Sequence, residues 1–550
     1  MTRGNRILHR PASFGAHLIC TFIAVALASL AFVAHARQIT VGPGGDYARI
    51  QDAINAASRG DEIVVSPRTY AENIHFHGKN IVLRSTNPLD PDVVDSTIID
   101  GTSPNMDTPA VTFSGTESAD CVLAGFCIAY GAAEYGGGIN GNETRATIRY
   151  NHITQNFGRV GGGLYRCYGL IEGNYIDWNF AAYEGGAMWG GYGTDSGVFQ
   201  NNIVAYNRAG YPTMREGYGG GLSYYKGTMQ NNTFYKNGAS DGPSRDGKGG
   251  GFYLCSGTIR NCIIWKNDAT YGSQLYDCST PSFSCISYST YGGSYNITLD
   301  PKLVNDPPYF FEDFKLSVDS PCIDAGTGVS GLGDIQGEPR PFDGTNTPRG
   351  DGSDFDIGAD EFVIWQALTT AVSGSGAVDP SAGTHHYMKG SSVSVSASPS
   401  SLWRFDHWEG GLSGSTNPAT ITMDSDKTVK AVFKKITKRL VISVEGSGTT
   451  NPPAGTHHYD VGTTVSITAT ADQGWSFTRW QGAVFGDTNP LSVTMDDNKE
   501  LTAVFEQSQG PGPGTQPFNC GSKGGPAYAC CALLIIVVGR RRRARRSRRL

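Results

Sequence analysis

From about Asn140 to Asn267 the chain repeats one alternation of apolar and polar positions. Short apolar hexamers at 151–156, 174–179, 202–207, 232–237 and 262–267 start 23, 28, 30 and 30 residues apart, a period in the range of a solenoid. Each follows a Gly-rich triplet, at Gly136, Gly161, Gly185, Gly219 and Gly249. Stacking the repeats gives two wholly apolar columns: Ile148, Ile171, Phe199, Met229, Ile259 before the hexamers, and Ile153, Ile176, Val204, Phe234, Ile264 inside them. Their neighbours are polar or large aromatics: Arg149, Glu172, Gln200, Gln230, Arg260, and Thr154, Asp177, Ala205, Tyr235, Trp265. Alternation with period two predicts half-buried strands, and like over like from coil to coil predicts one continuous core. The last column, Asn156, Asn179, Asn207, Asn237, Asn267, predicts amides hydrogen-bonded along the stack at a tight turn that tolerates left-handed backbone.

Helical spacing is confined to Tyr47–Ala57, where Tyr47, Ile50, Ile54 and Ala57 share a face behind Asp46 as N-cap, and such a helix would cover the first coil. A second repeat runs from Thr370 to Phe505 at a constant offset of 72. Gly383-Thr384-His385-His386-Tyr387 recurs as Gly455-Thr456-His457-His458-Tyr459, Trp408 as Trp480, and Ala431-Val432-Phe433 as Ala503-Val504-Phe505. Alternating stretches such as Val393-Ser394-Val395-Ser396 make these small β-rich modules. The adjacent histidines of each pair would point to opposite faces of a strand, which suits exposed side chains better than a metal site.

Two families are legible in these motifs. Residues 38–362 resemble right-handed parallel β-helix proteins of the pectin-lyase-like fold. The opening Tyr47-Ala48-Arg49-Ile50-Gln51-Asp52-Ala53-Ile54 and the closing Ser320-Pro321-Cys322-Ile323-Asp324-Ala325-Gly326 and Asp356-Ile357-Gly358-Ala359-Asp360-Glu361 resemble bacterial surface proteins of the choice-of-anchor type. The 72-residue repeats resemble the internalin B-repeat, whose members serve as spacers or adhesive units. The fold class expected is therefore all-β: a right-handed parallel β-helix with a short N-terminal capping helix, followed by two small β-rich modules.

Composition changes the picture at the two ends. The 550 residues carry a formal charge of −6, yet residues 1–36 hold three Arg and no acid, and residues 540–550 hold eight Arg and no acid. Between them stand 33 bases against 50 acids, a charge of −17, which excludes a phosphate-binding footprint and hence a nucleic-acid partner. The basic start, the apolar run Leu18–Ala34 and Ala34-His35-Ala36 read as a signal peptide. At the other end, Asn519-Cys520-Gly521, the apolar stretch from Ala527 to Val538 and the Arg cluster resemble a tripartite myxobacterial-type sorting signal. That resemblance implies Cys520 as the processing or attachment point and the membrane as a partner of the C-terminal segment. The organisation expected is a signal peptide over 1–36, the β-helix over 37–310, a closing segment with an Asp-rich loop over 311–362, and repeat modules over 366–434 and 438–506. A Gly/Pro linker over 507–519 and the sorting segment over 520–550 complete it. The protein is expected to be exported to the bacterial surface as a monomer. Its eight body cysteines, without CxxC spacing, suit disulfides or buried thiols better than zinc.

Chemistry is sparse. Lyases of the pectin-lyase-like fold hold calcium on clustered carboxylates and its hydrolases use several close Asp, whereas each column here offers at most one acid. The outward column containing Arg149, Glu172 and Arg260, with Asp177 and His152 nearby, is the residual catalytic candidate; its bland counterpart is a cross-coil ladder with an Arg149–Glu172 pair. After the Gly triplets the outward positions read Asn140, Tyr165, Trp189, Ser223, Tyr253, with Tyr192, Tyr224 and Tyr225 beside them. Aromatic faces along a parallel sheet suit stacking on sugar rings, so Tyr165, Trp189, Tyr224 and Tyr253 are the ligand-binding candidates. Asp351, Asp354 and Asp356 lie on a Gly-rich loop and carry the hard oxygens that calcium takes; no other cofactor is implied. The function expected is binding of a carbohydrate or cell-surface ligand without catalysis; the alternative is a polysaccharide lyase or esterase.

Overall fold

The computed structural model describes residues 36–103, 107–193, 197–210, 216–239, 246–288, 291–329, 333–345 and 349–509. The leader before Ala36, and Cys520 with its sorting segment, lie outside them. Among the described residues no helix is long and apolar enough to cross a membrane. The chain divides into two units near Gln366.

The first unit is a parallel β-helix. Sheet I, nine strands from Gln38–Val41 to Ile259–Arg260, and sheet II, nine strands from Arg68–Ala71 to Cys285–Ile286, are joined coil by coil through a tight turn. Sheet III holds eight strands from Ile74–His75 to Leu275–Tyr276, and sheet IV five from Ala132–Tyr135 to Gly238–Ala239. All pairings within these four sheets' ladders run parallel, and the predicted columns stand in register: Ile148, Ile171, Phe199, Met229, Ile259 in sheet I, and Ile153, Ile176, Val204, Phe234, Ile264 in sheet II. Every one of these side chains is buried in a single core.

Two ladders of asparagine flank the sheet II strands. In the predicted one, Asn156 Nδ2 donates to Asn179 Oδ1, Asn179 to Asn207, Asn207 to Asn237 and Asn237 to Asn267, all at 2.9–3.0 Å. A second runs Asn151, Asn174, Asn202, Asn232 at 3.0–3.1 Å. Left-handed backbone falls one residue earlier than predicted, on Gln155, Trp178, Tyr206, Lys236, Lys266 and on Tyr150, Gly173, Asn201, Asn231, Asn261. The reason is that each ladder Asn spends its amide on neighbouring coils, and several, Asn179 and Asn207 among them, also bond the carbonyl two residues back. The residue before it must make the bend, at about 1–2 kcal/mol for a non-glycine. At Gly173 a side chain would have no room: a Cβ there would lie 2.6 Å from the Tyr150 ring.

Helix α1, Ile50–Ala56, caps the first coil as predicted, but Asp46 does not cap the helix. Asp46 accepts from the Thr40 backbone and hydroxyl, and Glu72 receives the N–H groups of Ile50 and Gln51 at 2.9 and 3.0 Å. A carboxylate brought from the next coil thus sits at the positive end of the helix. Helix α2, Pro91–Ser96, was outside the expected helical patterning; Asp90 caps it, accepting from Asp92 and Val93 N–H. At six residues it is too short to carry a 3.6-residue period. The closing segment lays Leu303, Phe314, Leu316, Ile323, Ile335 and Ile357 over the outer face of sheet II, against Tyr175, Ile203, Tyr235 and Ile263. The eight body cysteines are free thiols, all but Cys278 buried.

In the second unit each module pairs a four-stranded with a three-stranded sheet, in the same strand order in both copies. Trp408 and Trp480 are buried and donate to Thr416 and Thr488 carbonyls, while Asn417 and Asn489 clamp the backbone of Ala397 and Ala469. His385 and His457 each bond a loop carbonyl four residues back.

Candidate functional site

The residual catalytic set splits in two. Arg149, Glu172 and Arg260 belong to a ladder on sheet I. Glu172 Oε1 accepts from Gln200 Nε2 at 2.7 Å, Gln200 Oε1 from Gln230 Nε2 at 2.8 Å, and Gln230 Oε1 from Arg260 Nε and a terminal nitrogen at 3.1 and 2.8 Å. The chain of amides joins a carboxylate at one end to a guanidinium at the other. Glu172 is 1% exposed. Burial pushes its pKa up, and the Gln200 bond and the charge of Arg149 only partly offset that. Arg149 stands opposite Glu172 in register, but the hydrogen bond goes to Gln200 instead.

His152 and Asp177 stand on sheet II, and the structure adds a partner that the sequence reading missed. His152 Nδ1 donates to Asp95 Oδ1 at 2.8 Å and Nε2 to Asp177 Oδ1 at 3.0 Å. Asp95 comes from α2; a Pro after an Asp cap was its sequence signal. Burial opposes a charge on His152, but hydrogen bonds to Asp177 and Asp95, and their charges, outweigh it and push the pKa up to about 9. The imidazolium is stacked on Tyr175, with ring centres 4.9 Å apart. Both nitrogens are committed, so the ring has neither a lone pair to take a proton nor a free N–H to place on a substrate.

These side chains floor a groove of 430 Å³. One wall is Leu89, Pro91 and Val94; the other is Tyr309, Phe310 and Phe311, with Trp178 along the floor. Trp178 lies flat on Tyr206, 5.0 Å between centres and 6° from parallel, and Tyr206 is stacked in turn on Tyr309 and donates to the Pro308 carbonyl at 2.6 Å.

The aromatic column forms on sheet III in the predicted register, Asn140, Tyr165, Trp189, Ser223, Tyr253, extended by Tyr276. Its rings touch one another: Tyr135 to Tyr165 at 4.9 Å, Tyr165 to Trp189 at 5.0 Å and nearly parallel, Trp189 to Tyr224 at 6.1 Å, Tyr224 to Tyr253 at 5.5 Å, Tyr253 to Tyr276 at 5.6 Å. Trp189 is only 6% exposed and donates Nε1 to Glu184 at 2.7 Å, so it backs its neighbours and offers no open face. Tyr225 turns into the core. A recess of 370 Å³ opens between Tyr135, Tyr165, Arg166, Glu184 and Tyr192.

The Asp-rich loop does not gather its carboxylates. Asp351 accepts from Thr327 and Ser353 at the surface, while buried Asp356 accepts the N–H groups of Asp324 and Phe362. Among the described residues no group of three or more His, Cys, Asp or Glu is placed to hold a metal ion.

A family model described as a divergent InlB B-repeat domain matches residues 367–437 and 440–509. Among solved structures, the pectin methylesterase of Aspergillus niger is similar at 16% identity over 48% of this chain and 91% of that one, with a TM-score of 0.28. A likeness of that size says nothing of a reaction. No curated protein matches the chain.

Proposed function

We propose that the protein is an exported, surface-anchored β-helix that binds saccharides along the aromatic flank of sheet III and performs no chemistry on them. The observation that carries the reading is the continuous ring column from Tyr135 to Tyr276, one aromatic step per coil for much of its length, with hydroxyls at its edge and Glu184 and Arg166 beside it. Such a track offers apolar ring surface at exposed Tyr135 and Tyr192 to pyranose C–H groups, and polar tips along its length to their hydroxyls. Catalysis is disfavoured by the same side chains that the sequence nominated: Glu172 and Arg260 are tied into one amide chain, and His152 has both nitrogens engaged. The B-repeat modules support the surface reading, with Cys520 as the attachment point and the two modules as a stalk. The −17 body favours neutral or basic glycans over polyuronates unless calcium bridges the charges.

The test is affinity electrophoresis of the full chain in gels containing neutral, basic and uronate polysaccharides, alongside absorbance of unsaturated products and released acid. Retardation that Tyr165→Ala or Tyr253→Ala weakens about five- to tenfold is expected, with no product formed. Turnover abolished by Glu172→Ala would sink the reading in favour of a polysaccharide lyase or esterase.

A further inference from the structure

The groove over Asp95, His152 and Asp177 is a different place from the aromatic flank and has a different chemistry. Its charged lining is three carboxylates, Asp95, Asp177 and Glu312, against one histidine, and no Lys or Arg lines it. His152 compensates one negative charge only; Lys315 pairs with Glu312 from outside the lining. Asp95 keeps a side chain 63% exposed while its Oδ1 holds the imidazole. Around this negative floor stand exposed apolar side chains: Trp178 is 41% and Phe310 75% exposed, with Leu89 and Tyr309 also open.

We propose that this groove binds an organic cation, an ammonium group carried on an apolar body, with the ammonium at Asp95 and the body against Trp178 and the Tyr309–Phe311 wall. An anion is excluded by the carboxylates and by the imidazolium, whose two N–H groups already serve them. A bare metal ion finds no set of converging ligands among the described residues. A cation gains both from the uncompensated charge and from ring faces beside it. The rings are already stacked without ligand: Trp178 on Tyr206, Tyr206 on Tyr309, and Tyr175 on His152. That removes much of the ordering cost of binding.

The test is calorimetric titration of the full chain with benzyltrimethylammonium, benzyl alcohol and benzoate, which share a ring and differ in charge. The cation should bind at least about tenfold tighter than the alcohol, and benzoate should give no heat. Asp95→Asn, at a side chain 63% exposed, should cost the cation about five- to tenfold and leave the alcohol unchanged, with unchanged circular dichroism as the check on folding. Trp178→Ala should weaken both, with unchanged circular dichroism as the check on folding. Equal affinities for cation and alcohol, or a cation affinity indifferent to Asp95→Asn, would overturn the proposal. Tyr165→Ala and Tyr253→Ala should leave the cation titration untouched, so failure here and failure of saccharide binding are separate results.

Discussion

Arg149 and Thr154 are five residues apart on neighbouring sheets, yet the outward columns they begin meet opposite fates. On sheet I the residues Glu172, Gln200, Gln230 and Arg260 satisfy one another end to end and are shut away from solvent at the acid. On sheet II, Asp177 is bonded by His152 of its own sheet, which takes a second partner, Asp95, from α2, and the space above them stays open. The difference lies in side-chain length and in what is packed outside. Glutamines reach from coil to coil in parallel register and hand on a hydrogen bond, whereas the Asp177 column continues into Ala205, Tyr235 and Trp265, which pass nothing on. A column that completes its own hydrogen bonds is structure; one that must borrow a partner from another element leaves an edge where a ligand fits.

Four substitutions test that contrast. The largest effect is expected at the closed ladder. Gln200→Leu strands the Glu172 carboxylate and the Gln230 amide in a buried site and should lower stability by about 2–4 kcal/mol, read as a shifted urea midpoint at constant slope. Next is His152→Asn. A folded pKa of about 9 lies above the ordinary 6.5, so the stabilisation from its charge is full below pH 6.5 and lost as pH rises through 9. The variant should be less stable by on the order of 2–3 kcal/mol at pH 6 and should close that gap by pH 10. A gap independent of pH would mean that the ring acts by packing alone, and an imidazole proton shift titrating near 6.5 would contradict the bracketed geometry.

Asp95→Asn comes third. An exposed carboxylate on a short helix contributes about 0.2–1 kcal/mol to stability, so the urea midpoint should barely move while the groove loses its preference for cations. Arg149→Gln is the smallest: its side chain accepts no role in the amide chain, and a change within about 0.5 kcal/mol is expected. If Arg149→Gln proved as costly as Gln200→Leu, the ladder would depend on the cross-coil ion pair after all.

How much was legible is best seen residue by residue. The core columns, their register and the Asn156 ladder could be read directly, because a solenoid converts sequence periodicity into spatial stacking. The aromatic column on sheet III was legible for the same reason, and the 72-residue repeats gave two modules with matching strand orders. What periodicity cannot convey is how neighbours fill space. Trp189 occupies an outward register position and is nevertheless covered, because Tyr192 and Tyr224 close over it. Glu72 caps α1 from the following coil, 22 residues from Ile50, where no local motif would place it. Asp95 rides on a helix of six residues, visible only as an Asp-Pro pair, and reaches a histidine 57 positions away.

By itself, then, the sequence determined the parallel β-helix, the order of its coils and the faces that point inward, since those follow from period-two alternation repeated at solenoid spacing. Only the tertiary structure decided which outward polar residues are spent and which are free. That depended on α2 and on the closing segment, elements outside the repeat that pack on sheet II and raise the groove walls. Burial and hydrogen-bond partnership are properties of what lies across a surface, and nothing in a column's own residues states what will be laid against it.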